Sequence, residues 1–270
     1  MSLALPDARV HRPGPVAPRA ALAKLAAALV ISVPLVLSVD VLSAAVALVL
    51  EIPLLAGAGL GARELFRRTA VLWIAAPLSA VTIALYGQAG GAVLFEWAVV
   101  RVSEGSLALA AATALRVLAI GLPAVVLSAT IDPTDLADGL AQRLRLPARF
   151  VIGALAGMRL LGLLVDDWHA LDLARRARGV ADQGRIRRTL GMAFALFVLA
   201  IRRGSSLATA MEARGFGAIG PDAPVRTWAR VSPWTRRDTA LVLLAAVIPA
   251  VAITSAVVAG TWNLILGPAA

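Results

Sequence analysis

The chain has 270 residues, 60% of them hydrophobic, with a mean hydropathy of +0.84 and a formal net charge of +10. That apolar share exceeds the roughly 45–50% of soluble domains and places the chain among polytopic membrane proteins. The absence of cysteine excludes disulfides, thiolate metal sites and iron–sulfur clusters.

Residues 1–20 carry Arg9, Arg12, Arg19 and four prolines, without the apolar core of a signal peptide. They read as an irregular cytoplasmic tail, and the first hydrophobic segment is expected to remain as an anchor. Ala21 to Ser38 and Val41 to Leu60 each approach the ~20 residues of a membrane-crossing helix. The tight break at Val39-Asp40 reads as a helical hairpin. A third span is expected from about Thr69 to Tyr86, a glycine-rich linker from Gly87 to Gly105, and a fourth span from about Ser106 to Ala129. Residues 21–130 thus form a membrane domain of four spans, and a fifth lies within 239–270, over Thr239 to Leu266.

Between them, residues 131–238 are basic and are read as a cytoplasmic helical domain. Asp132-Pro133-Thr134-Asp135 is a helix start, with an Asp cap, proline at the first helical position and an acid at the third. A short helix is expected over Leu136 to Leu144, a long one from about Ala148 to Arg178, and another from about Arg185 to Arg214. The stretches Phe150–Val165 and Leu190–Ile201 are apolar too. A membrane hairpin there would expose Arg175, Arg176, Arg178, Arg185, Arg187 and Arg188 on the outer face, against the positive-inside rule. They therefore read as apolar faces of helices lying at the cytoplasmic membrane surface. With Asp40, Gly87–Gly105 and Gly267–Ala270 outside, the N-terminus is cytoplasmic.

One tripeptide occurs twice, each time at a helix end: Ala177-Arg178-Gly179 closes LDLARRARG, and Ala213-Arg214-Gly215 closes LATAMEARG. Glycine past a helix end is a common cap, and a cation there suits the helix dipole. Two such ends on adjacent helices also suit docking, since a small alanine allows close approach and a guanidinium forks onto a carboxylate.

These residues carry a family resemblance. DPTDLADGL, LRLP at Leu144–Pro147, LARRARGV at Leu173–Val180 and LATAMEARGF at Leu207–Phe216 resemble the coupling domain of the T component of energy-coupling factor (ECF) transporters. That group includes the cobalt/nickel and biotin transporter permeases. PRAALAKL at Pro18–Leu25 loosely resembles the family's signature before its first helix, with residues inserted ahead of Lys24. The resemblance implies an all-α polytopic protein of about five transmembrane helices plus a helical coupling domain, in the plasma membrane of a prokaryote. It implies a non-catalytic subunit of an ABC importer for a vitamin or transition-metal ion, with no cofactor. Its implied partners are two ABC ATPase subunits and a separate membrane-embedded substrate-binding (S) subunit. Arg178 and Arg214, with their flanking alanines and glycines, would seat the ATPases. Independently, the only lysine, Lys24, follows Ala20-Ala21-Leu22-Ala23 rather than a glycine-rich phosphate loop.

Other readings compete. Asp166, His169 and Asp172 stand at metal-like spacing, but no closed ligand set accompanies them. Membrane topology accounts for the arginines without nucleic acid. Glu51 and Arg116 both fall within spans and read as an intramembrane ion pair. As an ion path the same two would make the chain a secondary transporter, and a membrane scaffold for another peripheral complex is a third class.

Overall fold

The computed structural model describes residues 14–87, 90–97, 100–179, 184–216, 227–228 and 230–262. The N-terminal arm before Gly14 and the C-terminal Gly267–Ala270, both used in the orientation reading, lie outside the described residues. Among those described, the elements are α1 (Ala21–Leu37), α2 (Val41–Gly57), α3 (Ala62–Tyr86), β1 (Val93–Trp97), β2 (Val100–Ser103), α4 (Glu104–Ala129), α5 (Pro133–Gln142), α6 (Ala148–Ala177), α7 (Arg185–Ala213) and α8 (Arg236–Val258). The protein is all-α and polytopic, apart from one short hairpin.

The chain divides into two compact units, one made of the segments up to Leu136 and from Pro233 onward, the other Ala137–Ser232. In the first unit, α1 packs on α4 and α8, α2 packs on the same two helices, and α3 lies along α4. The core is built largely from alanine: Ala23, Ala27, Ala47, Ala119, Ala245 and Ala252, filled in by Ile31, Leu35, Leu54, Leu127 and Ile248. Small residues let helix backbones approach where apolar lipid leaves little hydrophobic drive between helices.

Three observations bear on these expectations. First, α1 and α2 are consecutive but are not a packed pair among the described residues; α4 and α8 are the helices they share. The break between them is an extended linker held by buried polar groups. Asp40 caps α2 by accepting the amide of Ser43 at 2.7 Å, and it takes the hydroxyl of Ser38 at 2.6 Å and that of Ser43. Second, among the described residues five helices, α3, α4, α6, α7 and α8, are long and apolar enough to cross a membrane by length and composition. At 17 residues each, α1 and α2 rise about 26 Å, a few ångströms short of a hydrocarbon core of about 30 Å. Local bilayer thinning accommodates such a mismatch at modest cost. Third, part of the glycine-rich linker is an antiparallel hairpin, with Phe95 opposite Val102 and Trp97 opposite Val100. Val-Leu-Phe-Glu-Trp and Val-Arg-Val-Ser are rich in the β-branched and aromatic residues that favour strands.

The helix α5, whose first residues still belong to the first unit, begins as its sequence dictates. The side chain of Asp132 accepts the amide of Thr134 at 2.7 Å, and Pro133 is the first helical residue. A small core of Ala137, Ala141 and Val151 joins α5 to the start of α6. The two long helices α6 and α7 pack on each other.

Candidate functional site

The tripeptides occupy the same three positions at both helix ends. Ala177 is the last residue of α6, Arg178 is the cap, and Gly179 follows with φ of +68°. Ala213, Arg214 and Gly215 repeat this on α7, with Gly215 at φ of +78°. The left-handed glycine lets the chain turn back and satisfy the last carbonyls: Gly179 donates to Arg176 at 3.0 Å, and Gly215 to Glu212 at 2.9 Å. On α7 a second bond, from Phe216 to Met211 at 3.0 Å, completes a Schellman closure. The glycines are thus explained by backbone geometry alone.

The arginines are not. Ala177, Arg178, Ala213 and Arg214 are all exposed, and no hydrogen bond or ion pair engages either guanidinium among the described residues. Neighbouring arginines behave differently. Arg176 pairs with Asp172 at 2.6 Å within α6, and Arg188 of α7 donates to the same carboxylate. Arg203 forks onto Asp167, with Nη2 to Oδ1 at 3.1 Å. Arg175 lies against Gly191 of α7. Arg188 reaches Asp172 from across the helix pair. Asp172, weighed as a metal ligand, is held by guanidinium groups.

These contacts also set the geometry of the pair. Asp167 meets Arg203, whereas the later Asp172 meets the earlier Arg188, so α6 and α7 run antiparallel. The end of α6 therefore lies beside the first turns of α7. From Gly191 to Arg214 the axial rise is on the order of 35 Å, so the two tips are presented at opposite ends of the pair.

Glu51 and Arg116 are not brought together. Glu51 is fully buried (0% exposed), and both its carboxylate oxygens lack a hydrogen-bond partner, as does Nη2 of Arg116. Arg116 instead donates from Nε to the carbonyl of Leu35 at 3.0 Å, in the last turn of α1, where unpaired carbonyls and the negative end of the helix dipole attract a cation. Asp40 is the acidic group whose field reaches it. Arg116 thus sits level with the α1–α2 break, while Glu51 stands eleven residues along α2 from Asp40, a rise of about 16 Å. The separation corrects the ion-pair reading. It also sets a prediction: Glu51→Leu removes a buried group with no partner to lose, so the chain should keep or gain stability by about 1–3 kcal/mol. A drop in the thermal midpoint in detergent would contradict the geometry.

The sequence reading missed Lys24 and Asp238 as partners in a buried polar cluster. Lys24 is 2% exposed and donates to the carbonyls of Ala17 and Thr130, both at 2.8 Å. Asp238, also 2% exposed, accepts the amides of Ala20 at 3.0 Å and Thr235 at 2.7 Å and the hydroxyl of Thr235 at 2.6 Å. The usable signal was the Thr235-Arg236-Arg237-Asp238 spacing, a capping box in which Asp takes the usual Glu position.

Comparison with known proteins agrees with this architecture. A family model described as CbiQ, cobalt transport protein, matches residues 17–223. Among curated relatives, an energy-coupling factor transporter transmembrane protein EcfT from Exiguobacterium sibiricum is 34% identical over 167 residues, covering 57% of this chain and 62% of that protein. EcfT of Limosilactobacillus fermentum is 29% identical over 181 residues, covering 63% of this chain and 66% of its own length. EcfT of Bacillus subtilis is 29% identical over 173 residues, covering 59% and 63%. The chain therefore spans a little under two thirds of the length of these relatives.

Proposed function

The chain belongs to the CbiQ family, as a transmembrane T component of energy-coupling factor transporters, and from that premise we propose that it couples ATP hydrolysis to uptake. In this reading two separate ATPase subunits bind the ends of α6 and α7. A separate membrane-embedded S subunit holds a vitamin or a transition-metal ion. The chain itself carries no ATPase chemistry, in keeping with its single lysine, which is buried and bonded to two carbonyls.

The carrying observation is the pair of equivalent tips, exposed and unengaged among the described residues while the nearby Arg176, Arg188 and Arg203 are paired. The planar fork of a guanidinium is pre-organised for a two-pronged contact with a carboxylate groove, and the capped helix end fixes the backbone that carries it. Presentation at opposite ends of one antiparallel pair suits two partner subunits rather than one. The N-terminus is cytoplasmic in this reading, and α6 and α7 lie at the cytoplasmic face although each is long and apolar enough to cross a membrane. Their apolar residues, among them Leu161, Phe194, Phe197 and Ile201, would then meet the membrane interface or the S subunit.

Orientation is testable because the native chain has no cysteine. Single cysteines at Gly184 and Val231 should react with membrane-impermeant reagents only from the cytoplasmic side. Labelling of Gly184 from outside would mean that α6 and α7 form a transmembrane hairpin, and the tips would then have no access to ATPases.

A further inference from the structure

The two tips share their backbone geometry but not the charges beside it. With the tripeptides aligned, Arg176 of α6 and Glu212 of α7 stand at the same position, two residues before the capping arginine. At the end of α6, Arg175, Arg176, Arg178 and Arg188 are set against one acid, Asp172, which is held by Arg176 and Arg188. The side chain of Arg176 nevertheless stays 62% exposed. In the last turn and cap of α7, Glu212 and Arg214 are the only charged residues.

Helix stability explains one of these two residues and not the other. Cations in a last turn suit the negative end of the helix dipole, as Arg175 and Arg176 do on α6. Glu212 instead places an anion at that end of α7, in a last turn without a basic residue. Arg214 does not compensate it, because side chains at i and i+2 do not face each other on a helix. Glu212 is exposed, and no hydrogen bond or ion pair engages its carboxylate among the described residues. It thus opposes its own helix and points to a cation outside the chain.

We propose that Arg176 and Glu212 determine which partner groove each tip accepts. The α6 tip fits a groove with acidic groups in excess. The α7 tip fits a groove in which the carboxylate for Arg214 is accompanied by a cation for Glu212. The assignment rests on the coupling reading and adds to it the partner chemistry at each tip. Such complementarity acts mainly by rejecting the wrong groove, since like charges forced together cost more than a solvated surface pair gains. The two tips are then not interchangeable.

The test measures capture of candidate ABC ATPase subunits by the full chain in detergent as salt is raised. Arg214→Ala leaves only the α6 tip and Arg178→Ala only the α7 tip, so each is read alone. Capture through the α6 tip should fall steeply with salt, and capture through the α7 tip, where charges of both signs meet the partner, should fall less. With the α7 tip alone, Glu212→Gln should weaken capture a few-fold and Glu212→Arg by about tenfold or more. With the α6 tip alone, Arg176→Glu should weaken it by about tenfold or more, Arg188 still holding Asp172. Neither Glu212 variant should lower the thermal midpoint, since the native carboxylate opposes the helix dipole. A merely structural Glu212 would do the reverse, moving the midpoint and leaving capture alone. If a single tip holds no ATPase, the same charge changes in the native chain decide, read as the number of ATPases retained in native mass spectrometry. Capture unchanged by Glu212→Arg, or equal salt dependence at the two tips, would overturn this assignment alone. A native chain that captures no ATPase would refute the coupling reading and the assignment with it.

Discussion

Changing both Arg178 and Arg214 to alanine should abolish capture of ATPase subunits while leaving membrane insertion intact. Each tip presents one guanidinium from a helix cap whose backbone is already satisfied by the glycine that follows. Removing the side chain therefore leaves the helix end standing and takes away only the outward contact. Loss of a desolvated, charge-assisted contact typically costs 2–5 kcal/mol, much of it from the partner charge left unpaired. At 1.4 kcal/mol per decade, each single variant should bind roughly 30-fold more weakly or worse. Arg→Lys should recover only part of this, because an ammonium makes no planar fork. Arg188→Ala serves as a control of a different kind: it should loosen α6 from α7 by releasing Asp172, lowering stability before it lowers capture. Pull-down in detergent at matched expression reads all of these. Wild-type capture by the double variant would leave both tripeptides as helix caps.

Asp238→Ala should produce the largest loss of stability in the membrane unit. Its carboxylate takes three donors, two of them main-chain amides from the starts of α1 and α8. Lys24 lies within its field. Alanine strands those amides in a buried site and weakens the negative field at the buried ammonium, to which Asp135 also contributes. Breaking a buried charge arrangement by deleting one member costs about 3–5 kcal/mol. Asp238→Asn keeps one acceptor oxygen and should cost less. Thermal unfolding followed by fluorescence-detected gel filtration gives the ranking, and an alanine variant as stable as wild type would show that the cluster is dispensable.

Local signals in the sequence were sufficient for the helices that carry the tips. Asp132-Pro133 at the start of α5, and the two Arg-Gly ends, mark helix boundaries through capping chemistry confined to a few residues. The observed ends at Ala177 and Ala213 fall within a residue of those expected. What depends on tertiary pairing was not legible. Glu51 and Arg116 share an apparent depth only when spans are drawn as equal and aligned. In the fold, Arg116 is drawn to the open carbonyls at the end of α1 and the carboxylate of Asp40. The short Ser38–Asp40 link looked like a hairpin turn because short connections usually join packed neighbours. A buried serine–aspartate cluster there lets α1 and α2 face α4 and α8 instead. Arg188 and Asp172 are far apart in sequence, and only the antiparallel packing of α6 on α7 brings them together.

The central claim is that one copy of this chain seats two ATPase subunits, one at each arginine tip. Native mass spectrometry of the nucleotide-free complex, purified through a tag on this chain after coexpression with candidate ABC ATPase subunits, counts them directly. The account predicts two ATPases per copy in the wild type, one in either Arg178→Ala or Arg214→Ala, and none in the double variant. Two ATPases retained in both single variants and in the double variant, or none in the wild type, would contradict it.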